Sequence, residues 1–193
     1  MRADYDAVIL AGGQGERLGG VSKADLVVGD ERLLDTVLRA VEGARTRVVV
    51  GEVDVPYWIV RTMEEPPGGG PAAGVEAGLD AVTEPADWTV LLACDLPGAV
   101  DAVGELLAEV DVEADVDGYC LVHADGRPQW LYGAYRTVSL RLAFARHESS
   151  ANLSMRRLLA DSHLALVTPT SADVTDIDTT DDLIRWGGTG EVG

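Results

Sequence analysis

Apolar residues fall in short, mostly unbroken runs separated by stretches of helical spacing. Tyr5–Ala11, Arg47–Val50, Tyr57–Arg61 and Trp88–Cys94 read as strands. They lack the in-out alternation of a half-exposed sheet, so they predict strands covered on both faces. Between them, Leu33–Glu42 places Leu34, Val37, Leu38 and Val41 on one helical face, and Pro71–Val82 does the same with Ala72, Val75, Leu79 and Val82. Gly98–Val110 follows with Val100, Val103, Leu106 and Leu107. Strand alternating with helix predicts an α/β fold: a mainly parallel sheet with helices on both sides. The second half is less regular. Gly118–Val122, Trp130–Tyr135 and Leu164–Val167 are strand candidates, and Thr137–Arg146, Leu153–Ala160 and Thr179–Trp186 are helical. The last opens with Thr-Thr-Asp-Asp, hydroxyls for a cap and acids for a first turn. The segment after Gly187 has no element pattern and predicts a disordered tail.

Composition narrows the function classes. The 193 residues suffice for one domain with a sizeable core. A net charge of −18 argues against nucleic acid, whose phosphates need clustered Lys and Arg. It equally disfavours an anionic membrane surface, and no apolar run reaches the length of a span. The N-terminus lacks the apolar stretch of a signal peptide, so a cytoplasmic location is expected. Two cysteines, Cys94 and Cys120, imply neither a disulfide framework nor a cysteine-rich zinc site. Both lie in apolar runs and read as inert thiols. His123, His147 and His163 have no metal-site or triad spacing.

The candidate chemistry starts at the first loop. Fourteen cations are arginines and one is a lysine, Lys23, which closes a loop containing Gly12, Gly13, Gly15, Gly19 and Gly20. Glycine-rich loops let backbone N–H groups close on phosphate oxygens, and a lysine there adds a point charge. The spacing is neither a Walker A motif nor a dinucleotide fingerprint. Arg17 and Lys23 extend from the same loop and suit one polyphosphate. Asp95 ends the strand Trp88–Cys94 before Pro97 and suits either Mg²⁺ or the capping of the next helix. Glu64–Gly74 is a rigid, glycine-bearing loop opening a helix; it suits close approach to a base or ribose, or is a plain connector. Asp176 and Asp178 point the same way along an extended backbone, and Asp178 is a candidate second metal ligand or an ordinary helix start.

Together, Leu10-Ala-Gly-Gly-x-Gly-x-Arg17-Leu-Gly-Gly-x-x-Lys23, Gly70-Pro-Ala-Ala-Gly74, Cys94-Asp95-Leu-Pro97 and Asp178-Thr179 resemble the molybdenum cofactor guanylyltransferase family, in order and spacing over nearly the whole chain. The first motif alone marks the wider nucleotidyltransferase superfamily. The resemblance implies a three-layer αβα sandwich with a Rossmann-like nucleotide half, as one domain over residues 1–187 with a tail at 188–193. It implies transfer of GMP from Mg²⁺·GTP to the terminal phosphate of molybdopterin, with release of pyrophosphate. Leu10, Ala11, Gly12, Gly13 and Gly15 would line the nucleotide with Glu65 and Gly70. Arg17 and Lys23 would hold phosphates, and Asp95 would bind Mg²⁺. Transient contact with other proteins of cofactor biosynthesis is also implied. This chain departs from the family at Ser22, where aspartate is usual, at Asp176 and Asp178, where asparagines are usual, and at Thr180, which replaces a proline. A cytidylyl- or sugar-1-phosphate nucleotidylyltransferase is the alternative enzyme, and a nucleotide-binding module without turnover is the alternative outside catalysis.

Overall fold

The computed structural model describes residues 4–12, 14–15 and 21–188. Its centre is a seven-stranded sheet of β1 (Tyr5–Leu10), β6 (Arg47–Val50), β7 (Val60–Thr62), β8 (Trp88–Ala93), β9 (Gly118–Val122), β10 (Pro128–Arg136) and β11 (Leu164–Val167). The spatial order is β11-β9-β10-β8-β1-β6-β7. β8, β1, β6 and β7 run parallel, as does the β9–β11 pair, and β10 runs antiparallel to both of its neighbours. Two small antiparallel ladders, β2 (Gln14–Gly15) with β3 (Val21–Ser22) and β4 (Val27–Val28) with β5 (Glu31–Arg32), lie in the first connection. They are too short to show any apolar period in the sequence.

Helices cover both faces. α1 (Leu33–Ala40) and α3 (Ala99–Glu109) pack on one side, where Val37, Leu38, Val103 and Leu106 join Ile9, Val49, Val90 and Leu92 of the strands. α2 (Pro71–Asp80), α4 (Thr137–Phe144) and α5 (Met155–Leu158) cover the other, with Val75, Leu79, Leu140, Phe144 and Met155 against Val8, Val48 and Leu91. This is the three-layer αβα arrangement. Both faces of the central strands are dry, which is why their sequences run apolar without alternation. α6 (Thr180–Arg185) closes a third small cluster, in which Leu183 and Ile177 meet Leu26 and Leu33.

Two local devices position the cleft. A Cβ on Gly78 would lie 2.3 Å from Val8 Cγ1, and one on Gly74 3.1 Å from Leu10 Cδ2. These glycines let α2 ride directly on β1, which delivers its first residues to the carboxyl edge of the sheet. At the start of α6, Thr179 and Asp182 form a reciprocal capping box, which leaves the preceding Asp176–Asp178 outside the helix.

Two element boundaries differ from the pattern reading. The apolar run Tyr57–Arg61 becomes a strand only from Val60, because Pro56 opens a turn in which Ile59 N–H donates to the Pro56 carbonyl. Tyr57 and Trp58 are therefore exposed. The helix read over Leu153–Ala160 is one turn, Met155–Leu158, capped by the Ser154 hydroxyl. The tail beyond Gly188 lies outside the described residues.

Candidate active site

A cleft of about 1300 Å³ opens along the carboxyl edge of β8, β1 and β6, where open α/β sheets bind ligands. One half is lined by Leu10, Ala11 and Gly12 after β1, by Val50–Val53 after β6, and by Glu64, Gly68, Gly70 and Pro71 before α2. Gly70 holds a φ of 87°, which suits glycine, and Gly51 one of 145°. A Cβ on Gly51 would meet the Ala11 carbonyl carbon at 2.8 Å, so Gly51 lets the two strand ends touch. The other half is lined by Pro128–Leu131 at the start of β10 and by Ser154–Arg156. Antiparallel β10 pairs with β8 only from Tyr132 onward, so its first residues overhang the carboxyl end of β8. Asp95 follows β8 and thus lies between the two halves.

The charged centre joins three distant segments. Lys23 Nζ donates to Asp95 Oδ2 at 2.8 Å and to Asp178 Oδ1 at 2.5 Å. Asp95 and Lys23 are mostly buried, with side-chain exposures of 13% and 19%, whereas the Asp178 carboxylate is 52% exposed. Burial alone would lower the pKa of the Lys23 ammonium, but its hydrogen bonds to Asp178 and Asp95 outweigh burial and raise it. Asp176 stands beside the pair. Burial first, then the negative charges of Asp178 and Asp95, push its pKa up. One oxygen from each of Asp95, Asp176 and Asp178 fits within a 4.8 Å span. The segments are locked by backbone too, since Ile177 N–H donates to the Asp95 carbonyl at 3.0 Å.

Among the sequence candidates, Leu10, Ala11, Gly12, Lys23, Gly70, Asp95 and Asp178 all line this cleft. Gly15 takes part in the short β2–β3 ladder, paired with Val21. Gly13 and Arg17 lie outside the described residues. Glu65 is exposed, and of the two adjacent acids it is Glu64 that lines the cleft. Glu64 is held there because its Oε1 accepts the Gly68 N–H at 3.0 Å. Pattern reading also passed over Glu52, Gln129, Trp130 and Arg156, which line the cleft from a loop, a strand end and the short helix α5, none of which carries a motif. Cys94 and Cys120 are buried, and burial raises both thiols, to about 12 and about 11, so neither is an available nucleophile.

The family model described as the MobA-like NTP transferase domain matches residues 7–166, which include the first loop, the helix opening at Pro71 and Asp95. The chain belongs to this family. The molybdenum cofactor guanylyltransferase of Cupriavidus necator is 32% identical over 139 residues, 66% of this chain and 67% of that protein. Among solved structures, the molybdopterin-guanine dinucleotide biosynthesis protein A of Archaeoglobus fulgidus superposes with a TM-score of 0.67 at 19% identity, covering 94% of this chain and 96% of that one. The 4-diphosphocytidyl-2C-methyl-D-erythritol synthase of Anaerococcus prevotii gives 0.66 at 12% identity over 96% and 97% of the two chains. Both neighbours share the fold, so the fold alone does not separate guanylyl from cytidylyl transfer. Family membership makes this chain a nucleotidyltransferase of the MobA type. No helix among the described residues is long and apolar enough to cross a membrane.

Proposed function

We propose that this protein transfers GMP from Mg²⁺·GTP to the terminal phosphate of molybdopterin. An acceptor phosphate oxygen attacks the α-phosphorus of GTP, the bond to the bridging oxygen breaks, and pyrophosphate leaves. The observation that carries this reading is the Lys23–Asp95–Asp178 centre between the two halves of one cleft, in a chain related to a named guanylyltransferase. Two substrates bound in opposite halves would meet there.

Each group has a defined part. Lys23 is a compact ammonium at the end of the phosphate loop, and it balances charge that develops on the transferring phosphoryl group and the leaving pyrophosphate. Gly12 and the α2 N-terminus at Gly70–Pro71 bring backbone N–H groups and the positive end of a helix to the nucleotide half. Guanine presents N1–H and N2–H donors on one edge, and the side-chain oxygens of Glu52 and Glu64 are acceptors for such donors. That pairing favours guanine over bases lacking the adjacent donors. Asp95, Asp176 and Asp178 supply the hard oxygen donors that suit Mg²⁺, with one oxygen from each lying within 4.8 Å of the others. Bound there, Mg²⁺ would neutralise phosphate charge. Arg156, on the far wall, is a cation available to the acceptor phosphate.

The test is direct. The purified protein, molybdopterin and Mg²⁺ are incubated with GTP, and in parallel with CTP, ATP and UTP, while pyrophosphate release and the dinucleotide product are followed. The reading expects product with GTP. Product with CTP alone would replace it with cytidylyl transfer on the same fold.

A further inference from the structure

The wall of the cleft opposite the nucleotide half is a stretch of strand that leaves its ladder. On the β9 side, Pro128 pairs with Val122 and the next matched pair is Gly133 with Cys120, so five steps along β10 face two along β9. The surplus falls at Gln129–Leu131. Bulges of this kind re-aim side chains beside active sites. This one is held in place from the core: the buried Tyr135 hydroxyl donates to the Trp130 carbonyl at 2.8 Å. Gly133 leaves no room for a Cβ, which would lie 2.6 Å from the Tyr135 ring.

Within the bulge, the orientation of the Gln129 amide is determined by its partners. Its Nε2 donates to the Val174 carbonyl at 3.3 Å and to His123 Nε2. A carbonyl can only accept, so the nitrogen must face Val174. Both amide protons are thereby committed. The remaining polar atom, Oε1, has no partner among the described residues, and Gln129 lines the cleft. Val174 lies just ahead of Asp176, so the amide is tied to the segment that carries Asp176 and Asp178. Beside it, Trp130 and Leu131 add an aromatic and an apolar wall.

We infer that Gln129 is a specificity-determining residue for the acceptor: its fixed Oε1 accepts a hydrogen bond from an N–H of a planar heterocycle lying along Trp130. This rests on the guanylyl-transfer reading, and it specifies the acceptor as a phosphorylated compound with an N–H-bearing ring. A ring lacking that donor would leave Oε1 desolvated and unpaired, which is how a buried acceptor discriminates. His123 is a positioning residue that keeps the amide from rotating.

Steady-state GMP transfer with molybdopterin varied at saturating GTP, and GTP varied at fixed molybdopterin, tests this on wild type, Gln129→Leu and His123→Leu. Gln129→Leu should raise the KM for molybdopterin about five- to tenfold, the loss of one hydrogen bond, and leave the KM for GTP within twofold. His123→Leu should shift the same KM by less, since the amide remains but turns. An unchanged molybdopterin KM in Gln129→Leu, or an equal rise in both KM values, overturns the inference while wild-type turnover leaves the guanylyl-transfer reading standing. A wild type inert toward molybdopterin overturns that reading and this inference with it. If Gln129→Leu fails to fold, Gln129→Met, which keeps the side-chain length, carries the same comparison.

Discussion

Replacing Lys23 by alanine removes the cation that Asp95 and Asp178 share. Lys23 Nζ lies 2.8 Å and 2.5 Å from their oxygens, and the oxygens fall within 4.8 Å of each other. Two unit charges at that separation repel by about 3 kcal/mol at an effective dielectric constant of ~20. The Asp178 carboxylate is 52% exposed, so water screens much of this, and a net destabilisation of about 1–2 kcal/mol is expected. For a chain of this size that is a fall in Tm of roughly 2–8 °C, measured by thermal denaturation in EDTA. The pKa of Lys23 is raised in the fold. The stabilisation it contributes is therefore complete below the ordinary lysine value of about 10.4, and is lost only as pH rises through the raised value. The Tm gap between wild type and Lys23→Ala should accordingly stay level from about pH 6 to pH 9. Adding Mg²⁺ should narrow it, because a second cation then serves the acids. Turnover is a separate readout. Loss of a charge-stabilising group at a transferring phosphoryl costs on the order of 10²–10³ in kcat, and Mg²⁺ does not restore it. A Lys23→Ala protein with wild-type Tm in EDTA and turnover within about threefold of wild type would refute this reasoning.

Asp95→Asn should abolish metal-dependent transfer, whereas Asp178→Asn should retain it with a higher Mg²⁺ concentration at half-maximal rate; Asp178→Ala should lose much more, and an unchanged Mg²⁺ dependence in Asp178→Ala would make that residue a solvated helix start. Away from the site, Asp117 accepts from Ser139 Oγ at 2.7 Å and from His163 N–H at 2.8 Å, and the Ser139 hydrogen bond leads in holding its pKa below the ordinary aspartate value. A lowered folded pKa gives stability that is full above the unfolded value of about 3.9 and is lost as pH falls through the folded one, so Asp117→Asn should lower Tm at pH 7 and the difference should shrink toward pH 3 in a pH series of melts.

The fold was legible where burial is simplest. β1, β6 and β8 are covered on both faces, so their sequences are plain apolar runs, and the helices that cover them keep a clear period. The run at Tyr57 failed as a strand because a local turn after Pro56 overrides side-chain character. In the site, Lys23 stood out because it follows a glycine-rich loop, Asp95 because it follows a strand, and Asp178 because it precedes a capped helix. Glu64 and Glu65 look alike in sequence. Only the loop closed by the Gly68 N–H decides which of them lines the cleft. Gln129 had no signal at all. Its placement comes from a register change between β9 and β10 and from a tyrosine hydroxyl six residues away, and neither leaves a local pattern.

The most direct test of the central claim is the nucleotide panel with molybdopterin and Mg²⁺, following pyrophosphate and the dinucleotide product together. Guanylyl transfer predicts stoichiometric pyrophosphate and molybdopterin guanine dinucleotide with GTP, and little product with CTP, ATP or UTP. Transfer from CTP in preference to GTP, or no pyrophosphate from any nucleotide, would contradict it.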